Sequence, residues 1–158
     1  DRIIRSMPNT PAQIGAGMTV WCATPTVTPL QKEQANAIFG AMGEALYVAD
    51  EKQIDMATAL NGSGPAYIFL LLESMIDAGV KLGFTRDTAQ KLVYQTVLGS
   101  VQYAQQSGQH PAVLRNGVTS PAGTTAAALY ELEKGGLRTI MADAIYAAHQ
   151  RAIELGKK

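Results

Sequence analysis

The chain has 158 residues and a mass of 16.8 kDa, which is enough for one domain with a hydrophobic core. Thirteen basic and thirteen acidic side chains cancel, so we expect no electrostatic binding to nucleic acid or to an anionic membrane surface. A single cysteine, Cys22, excludes an internal disulfide framework and a metal site with several thiolate ligands. Only 16% of the residues are charged, against about 25% in a typical soluble protein, while 47% are apolar. This deficit of charge indicates that another protein surface covers part of the chain.

The N-terminal residues carry no sign of a targeting segment. No basic stretch followed by an apolar run and a small-residue cleavage site opens the chain, which begins without methionine, as a cut inside a larger protein would. The longest uncharged apolar stretch, Ala66 to Leu72, is far shorter than the roughly 20 residues that cross a bilayer. We therefore expect a cytoplasmic protein without a membrane span.

Residues 1–49 alternate short apolar runs with turn residues, which is typical of a small α/β segment. Thr28 followed by Pro29 predicts the start of a helix, and apolar residues at helical spacing continue it towards Gly43. The two prolines of Pro8–Pro11 argue against regular structure in that tetrapeptide. The strands are predicted over residues 2–7, 17–24 and 45–48.

From residue 50 onward, apolar residues recur at intervals of three and four, which predicts a helical domain over residues 50–158. Thr85 is expected to cap one of its helices and Gly108 to end it. The long helix that starts at Pro65 carries its charges in one stripe and is apolar elsewhere, so we expect a second copy of the chain to cover it. The predicted helices cover residues 51–60, 65–82, 85–107, 111–115, 124–133 and 137–155.

Three loops rich in glycine or proline interrupt this pattern, namely Pro8–Pro11, Gly62–Tyr67 and Val118–Thr125. The second and third each precede a helix, whose first backbone N–H groups lack partners and lie at the positive end of the helix dipole. Such a helix start can bind an anion, and serine or threonine hydroxyls can hold a carboxylate or a polar ring atom. Ordinary helix caps have the same composition, so the loops alone leave both interpretations open.

The remaining polar residues favour structural roles. The acidic residues of segment 50–55 fit a solvated helix start, and His110 is expected to cap a helix or face water rather than catalyse. His149 is expected on the surface, opposite the apolar face of the last helix, and Cys22 is expected to pack in a strand. The sequence contains no Ser-His-Asp pattern, no phosphate-binding loop and no metal-ligand spacing.

Read together, the three loops resemble pyrroline-5-carboxylate reductase. Met7–Ala12, Gly62–Tyr67 and Val118–Thr125 occur in the order and rough spacing of that family, and the resemblance covers essentially the whole chain. It implies that residues 1–49 are the C-terminal end of a Rossmann NAD(P)-binding domain. It also implies that residues 50–158 form an all-α dimerisation and substrate-binding domain, like the C-terminal domain of 6-phosphogluconate dehydrogenase. The expected assembly is a homodimer or a decamer of such dimers.

The resemblance further implies an activity, the reduction of the C=N bond of 1-pyrroline-5-carboxylate to L-proline with NADPH or NADH. The substrate carboxylate would bind to the backbone amides of residues 123–125, and the Thr125 hydroxyl would act as the catalytic group near the ring nitrogen. The implied substrate-binding residues are Ser120, Gly123, Thr124 and Thr125. The implied cofactor-binding residues are Asn9, Thr10, Ser63, Gly64 and Pro65.

Two departures from the family pattern matter. Ala122 stands where the family usually has the first glycine of Ser-Pro-Gly-Gly-Thr, and it would strain the loop if its backbone had a positive φ. The glycine-rich turn that binds phosphate at the start of a Rossmann domain is absent from the 158 residues. The segment therefore lacks most of a cofactor site, and we expect it to be inactive without an N-terminal part.

Two other interpretations remain open at this point. A related imine reductase or β-hydroxyacid dehydrogenase also joins a Rossmann domain to a helical one, but such enzymes place a lysine on a core helix as an acid. Lys81 and Lys91 lie in patterns that do not suit this role. A non-catalytic helical dimerisation module would explain the low charge and the apolar helices equally well.

Overall fold

The computed structural model describes residues 1–156, in which a small sheet comes first and helices make up the rest. This confirms the expected fold class, a short α/β segment followed by an all-α region. Residues 157 and 158, the last two of the expected helical domain, lie outside the described part. No helix within residues 1–156 has the length and apolar character that a membrane span requires.

The strands are β1 (Ile4–Met7), β2 (Gly17–Ala23) and β3 (Gly43–Tyr47). The α-helices are α1 (Pro29–Gly40), α2 (Lys52–Ala57), α3 (Gly64–Lys81), α4 (Arg86–Ser107), α5 (Pro111–Gly117), α6 (Thr124–Lys134) and α7 (Leu137–Gly156). The remaining regular elements of the described residues are a 3₁₀ helix at Thr10–Ile14 and a π-helix at Thr58–Gly62.

The sheet has the order β1–β2–β3, with β1 antiparallel and β3 parallel to β2. Gly17 pairs with Gly43 at the start of the parallel ladder. Gly43 has a φ of 135°, and a Cβ atom there would collide with the carbonyl oxygen of Gly17, so this pairing requires glycine. The expected helix up to Gly43 is therefore too long: α1 ends at Gly40, and Gly43 opens β3.

One face of β2 packs on α2. Val20 and Cys22 share a buried cluster with Ile54 and Ala57, and Ile54 is completely buried. The neighbouring Trp21 points to the opposite face, as strand periodicity requires, where its ring lies 5.8 Å from that of Phe39 in α1 and 4.8 Å from that of Tyr47 in β3. The sheet thus has an apolar contact on each face.

An ion pair also attaches α2 to the sheet. Arg5 of β1 reaches Asp55 at 2.7 Å and Glu51 at 3.2 Å. The hydrogen bond to Asp55 raises the pKa of Arg5, burial opposes this shift, and the charges of the two carboxylates reinforce it. The acidic residues of segment 50–55 are thus more than a solvated helix start, because two of them bind a specific arginine.

Local capping rules predict several helix ends correctly. Thr28 caps α1 in a capping box with Gln31, whose backbone N–H donates to the Thr28 hydroxyl at 3.3 Å. Thr85 caps α4 by accepting from the N–H of Thr88, and Gly108 ends that helix with a left-handed φ of 62°.

The expectation of irregular structure around the two N-terminal prolines is wrong. Thr10–Ile14 is a 3₁₀ helix in which Pro11 lies in the first turn. A proline costs no hydrogen bond there, because the first N–H groups of a helix have no acceptor within it. Gly15, with a φ of 72°, then ends this helix in a left-handed conformation.

The expected single helix over residues 51–60 is also wrong. The chain is α-helical only to Ala57 and continues to Gly62 as a π-helix, in which the N–H of Ser63 donates to the Thr58 carbonyl at 2.8 Å. Helical spacing in the sequence cannot distinguish the two forms over five residues. The expected break at residues 61–64 is consequently short, since α3 begins at Gly64.

The chain divides into two compact units, one of Asp1–Ile68 with the C-terminal segment from Ala142, and one of Phe69–Met141. The second unit has its own buried core of Ile76, Ala89 and Val93. At Gly79 a Cβ atom would lie 2.9 Å from the Cβ of Ala89, so α3 and α4 approach closely there.

The α6–α7 turn of the second unit carries a two-pronged ion pair. The Nε of Arg138 donates to both carboxylate oxygens of Glu133, at 2.9 and 3.0 Å. This hydrogen bonding lowers the pKa of Glu133. Gly136, with a φ of 73°, makes the turn between the two helices possible.

We predict that the thiol of Cys22 reacts slowly with thiol reagents in the folded protein. The side chain is 6% exposed, and burial raises its pKa, with the nearby Glu51 carboxylate adding to the shift. The thiolate, which is the reactive form, is therefore scarcer at pH 8 than in the unfolded chain. Labelling at pH 8 should be at least about tenfold slower without urea than with it. Equal rates in both conditions would contradict the packing described for β2.

Candidate functional site

The start of α6 presents backbone N–H groups without acceptors. Gly123 is the N-cap residue in an extended conformation, and no side chain caps the helix. The amides of Thr124, Thr125 and Ala126 donate to no atom within residues 1–156. The half-buried hydroxyl of Thr125 likewise has no hydrogen-bond partner among these residues. Free amides and a free hydroxyl therefore converge on one helix end, where the dipole favours negative charge.

The loop before α6 folds back on itself. The N–H of Gly123 donates to the Ser120 carbonyl at 3.1 Å, and a Cβ atom at Gly123 would collide with the Ser120 hydroxyl. The expectation that the Gly123 amide binds a carboxylate is corrected by this bond, because its single hydrogen is already used. The glycine instead allows the tight turn that leaves Thr124 and Thr125 open.

The loop contains a strained residue. Ala122 has a φ of 57°, the one positive value among the non-glycine residues that the structure describes. This is the positive φ that would strain the loop according to the sequence analysis. An alanine in this conformation costs about 1–2 kcal/mol relative to an unstrained backbone. Strain of this kind persists only where neighbouring contacts hold the loop. Here the Thr119 hydroxyl donates to the Arg115 carbonyl at 2.6 Å and ties the loop to the end of α5.

Ser63, Gly64 and Pro65 lie at the junction of the π-helix and α3. No atom lies within 4 Å of the place where a Cβ would stand on Gly64, so space is open beside this backbone. The Ser63 hydroxyl forms no hydrogen bond with the described residues. The Tyr67 hydroxyl donates to the Ala59 carbonyl at 3.0 Å and so links the first turn of α3 back to the π-helix.

Asn9 is already engaged in the first unit. Its Oδ1 accepts from the N–H of Met18 at 2.9 Å, and its Nδ2 donates to Oδ1 of Asn61 at 2.9 Å. Thr10 is exposed and opens the 3₁₀ helix. Asn9 therefore holds the loop in place, and Thr10 presents its side chain to the solvent.

Asn61 is a residue that the sequence reasoning missed. Its Nδ2 donates to the carbonyls of Met7 and Met18, each at 3.1 Å, in addition to the bond from Asn9. An asparagine before a glycine between two helical patterns reads as a turn, so the sequence offered no sign of these partners. The structure thus brings Asn9 together with the segment just before Ser63. Ser120, Gly123, Thr124 and Thr125 form the other cluster, within the second unit.

The two histidines have structural explanations. Nδ1 of His110 accepts from the N–H of Ala112 at 3.2 Å and caps α5, as one of the sequence interpretations proposed. The half-buried His149 lines an apolar groove of the first unit with Ile145, Met56 and Leu60, so the expectation that it lies opposite the apolar face of the last helix is wrong. His149 lies four residues after Ile145, so both side chains share one face of α7.

Comparisons with known proteins agree on one family. The model of the pyrroline-5-carboxylate reductase dimerisation domain matches residues 51–155. Pyrroline-5-carboxylate reductases of Synechocystis and Pseudomonas aeruginosa are 48% and 47% identical over 156 residues, which is 99% of this chain. The chain spans only 58% and 57% of the length of these two relatives.

Solved structures show the same relationship. The pyrroline carboxylate reductase of Plasmodium falciparum, determined with NADP bound, superposes with a TM-score of 0.95 at 39% identity. The match covers 99% of this chain and 62% of that protein. The reductase of Coxiella burnetii gives a TM-score of 0.92 at 46% identity, over 98% of this chain and 57% of that one.

We predict that Ala122→Gly stabilises the protein by roughly 0.5–1 kcal/mol, because glycine removes the left-handed strain but loses more entropy on folding. Urea unfolding measures the effect. Ala128→Gly in the middle of α6 is the matched control and should destabilise by about 1 kcal/mol. If both substitutions destabilised the protein equally, the backbone assigned to Ala122 would be incorrect.

Proposed function

Because the chain belongs to the pyrroline-5-carboxylate reductase family, we propose that it forms the C-terminal part of an enzyme that reduces 1-pyrroline-5-carboxylate to L-proline with NADPH or NADH. The observation that carries this proposal is the set of free amides beside the free Thr125 hydroxyl at the start of α6. Residues 1–49 are proposed as the end of a nucleotide-binding domain and residues 50–158 as the dimerisation and substrate-binding domain. The family match from residue 51 onward supports this division.

The start of α6 suits the carboxylate of the substrate. The amides of Thr124 and Thr125 can donate two hydrogen bonds to the carboxylate oxygens, with Ser120 close by in the same loop. A helix of 11 residues adds its dipole to these bonds. Both contributions come from the backbone, so they depend on the loop geometry that Gly123 makes possible.

The Thr125 hydroxyl is proposed to position the ring nitrogen of the substrate. Its residue lies in the first turn of α6, beside the amides that would hold the carboxylate. Hydride addition to the carbon of a protonated C=N bond yields a neutral amine, so the step needs no strong acid from the protein. The contribution of these residues is therefore orientation, which is worth several kcal/mol when the reacting atoms are held in line.

The residues at the π-helix junction fit one side of a nicotinamide ring. Open space beside Gly64 and the free hydroxyl of Ser63 allow a flat group to lie against this backbone, with Pro65 as an apolar wall. Asn9 and Thr10 are proposed to line the same side. The bound dinucleotide would supply the hydride, as in the Plasmodium relative whose structure contains NADP. Its phosphate-binding turn is not among the 158 residues, so we expect the segment alone to be inactive.

The family match favours the reductase over a β-hydroxyacid dehydrogenase or another imine reductase. The same match is compatible with a non-catalytic dimerisation module. We expect these 158 residues by themselves to behave as such a module. We further propose a cytoplasmic location, which the single free and buried cysteine supports.

We also propose that a second copy of the chain covers α3. Leu71 and Met75 are 45% and 36% exposed and lie at helical spacing on one side of α3, and Leu82, just past the end of the helix, is 82% exposed. The exposed Leu70 instead falls in line with the charged stripe of Glu73, Asp77 and Lys81. Exposed apolar side chains in such a row are unusual in a monomer and mark an interface. The name of the matching family model, a dimerisation domain, supports a homodimer.

We predict that light scattering gives a mass near twice 16.8 kDa for this chain, or a multiple of that dimer if decamers form. Leu71→Glu should shift the equilibrium towards monomer at least about tenfold, because it introduces a charge into an apolar contact. Leu70→Glu is the matched control on the charged side and should leave the mass unchanged. A monomeric wild-type chain at micromolar concentration would contradict the proposed interface.

For the reaction, we predict that Thr125→Ala in the complete gene product that contains this chain lowers kcat or raises KM for 1-pyrroline-5-carboxylate about tenfold, or ~1.4 kcal/mol. The consumption of NADPH with saturating cofactor measures both constants. Thr125→Ser keeps the hydroxyl and should retain most of the activity. Unchanged kinetics for Thr125→Ala would remove this hydroxyl from the site.

A further inference from the structure

We propose that Asn61 is a positioning residue, which holds the Asn9–Thr10 segment in register with the Ser63–Pro65 segment and so shapes the cofactor side of the site. This inference rests on the proposed function, because that function assigns both segments to the cofactor. Asn61 itself would touch neither the substrate nor the cofactor.

The amide group of Asn61 uses both of its donor hydrogens and one acceptor position. Nδ2 donates to the carbonyls at the end of β1 and near the start of β2, those of Met7 and Met18. Oδ1 accepts from Asn9, which in turn accepts from the N–H of Met18. One half-buried side chain therefore joins three backbone segments that are separated by 43 to 54 residues from it.

The π-helix is what directs Asn61 towards these partners. Its hydrogen bonds span five residues instead of the four of an α-helix, which shifts the direction of every later side chain. The bond from Ser63 N–H to the Thr58 carbonyl closes the wide turn, and the bond from Tyr67 to the Ala59 carbonyl holds it against α3. Isolated π turns of this kind are frequent at functional sites.

The close packing next to Asn61 adds to the same constraint. A Cβ atom at Gly62 would lie 3.1 Å from the sulfur of Met7, so the π-helix already rests on the end of β1 at this point. Ser63 and Pro65 lie only two and four residues after Asn61. This stretch of chain is too short to absorb a displacement of the Asn61 backbone. Any shift of Asn61 is therefore passed on to the backbone beside the open space at Gly64.

The test compares Asn61→Ala with wild type in the complete gene product. KM for NADPH should rise about fivefold or more, because the two segments lose their common anchor. KM for 1-pyrroline-5-carboxylate should stay within about twofold, since the start of α6 is unchanged. Asn61→Ser keeps one hydrogen-bond donor and disturbs the packing less, so its KM for NADPH should rise by a smaller factor. This variant replaces Asn61→Ala in the test if Asn61→Ala does not fold.

Val93→Ala is the control for a general loss of stability. Val93 belongs to the buried core of the second unit and takes no part in the Asn61 hydrogen bonds, so Val93→Ala should lower the melting temperature without raising KM for NADPH. Asn9→Ala should raise the same KM, and the double variant with Asn61→Ala should add little to it. A lowered melting temperature with unchanged KM for NADPH in both Asn61 variants would overturn the inference and leave Asn61 a structural residue.

The outcomes for the inference and for the proposed function are separable. If the wild-type protein does not reduce 1-pyrroline-5-carboxylate, the proposed function fails, and the binding of NADPH alone, measured by equilibrium dialysis, then decides the role of Asn61. Binding weakened about fivefold or more in Asn61→Ala supports that role. Equal binding in the variant, or no binding by the wild type, overturns it.

Discussion

The hydrogen bonds of the Asn61 amide are the constraint on which the first unit depends. They fasten a π-helix to the facing ends of β1 and β2 and to the loop between these strands. The completely buried Ile54 lies in the preceding turns and supplies the apolar part of the same contact. Polar groups at a strand end would otherwise stay unpaired beside a buried core, which costs about 1–3 kcal/mol for each group. The sheet, the loop and the start of α3 consequently form one arrangement.

The proposed substrate site at the start of α6 depends on backbone geometry rather than on special side chains. Gly123 turns the chain so tightly that its own amide is used, and the following amides of Thr124 and Thr125 remain free. The loop accepts a left-handed alanine at Ala122 to reach this form. Strain stored next to free donors is a known property of binding loops.

The helical part of the chain exposes too much apolar surface to be complete as a single copy. The row of Leu71 and Met75 on α3, with Leu82 just past its end, lies apart from the buried core of Ile76, Ala89 and Val93. One side of the helix therefore serves internal packing, and another side is available to a partner. The low charge of the whole chain has the same physical origin, since residues in an interface between copies need no solvent contact.

The sequence by itself determined the features that depend on neighbours within a few residues. The caps at Thr28 and Thr85, the glycine end at Gly108 and the order of strands and helices follow from local hydrogen bonding and from apolar periodicity. The sequence also indicated a helix start with unpaired amides near residue 124, but it counted the Gly123 amide among them, which donates to the Ser120 carbonyl. The three motifs also sufficed to indicate the family, since each motif is a short stretch of chain.

Only the tertiary structure decided the features whose partners lie far away in the chain. A π-helix replaces the end of a predicted α-helix, and Asn61 within it has its partners 43 to 54 residues earlier, which no local pattern reveals. Gly43 starts a strand rather than ending a helix because the carbonyl of Gly17 lies against it. His149 lines an apolar groove because Met56 and Leu60 of the N-terminal segment lie beside the last helix there. In each case the deciding energy comes from a contact between segments, which exists only once the chain has folded.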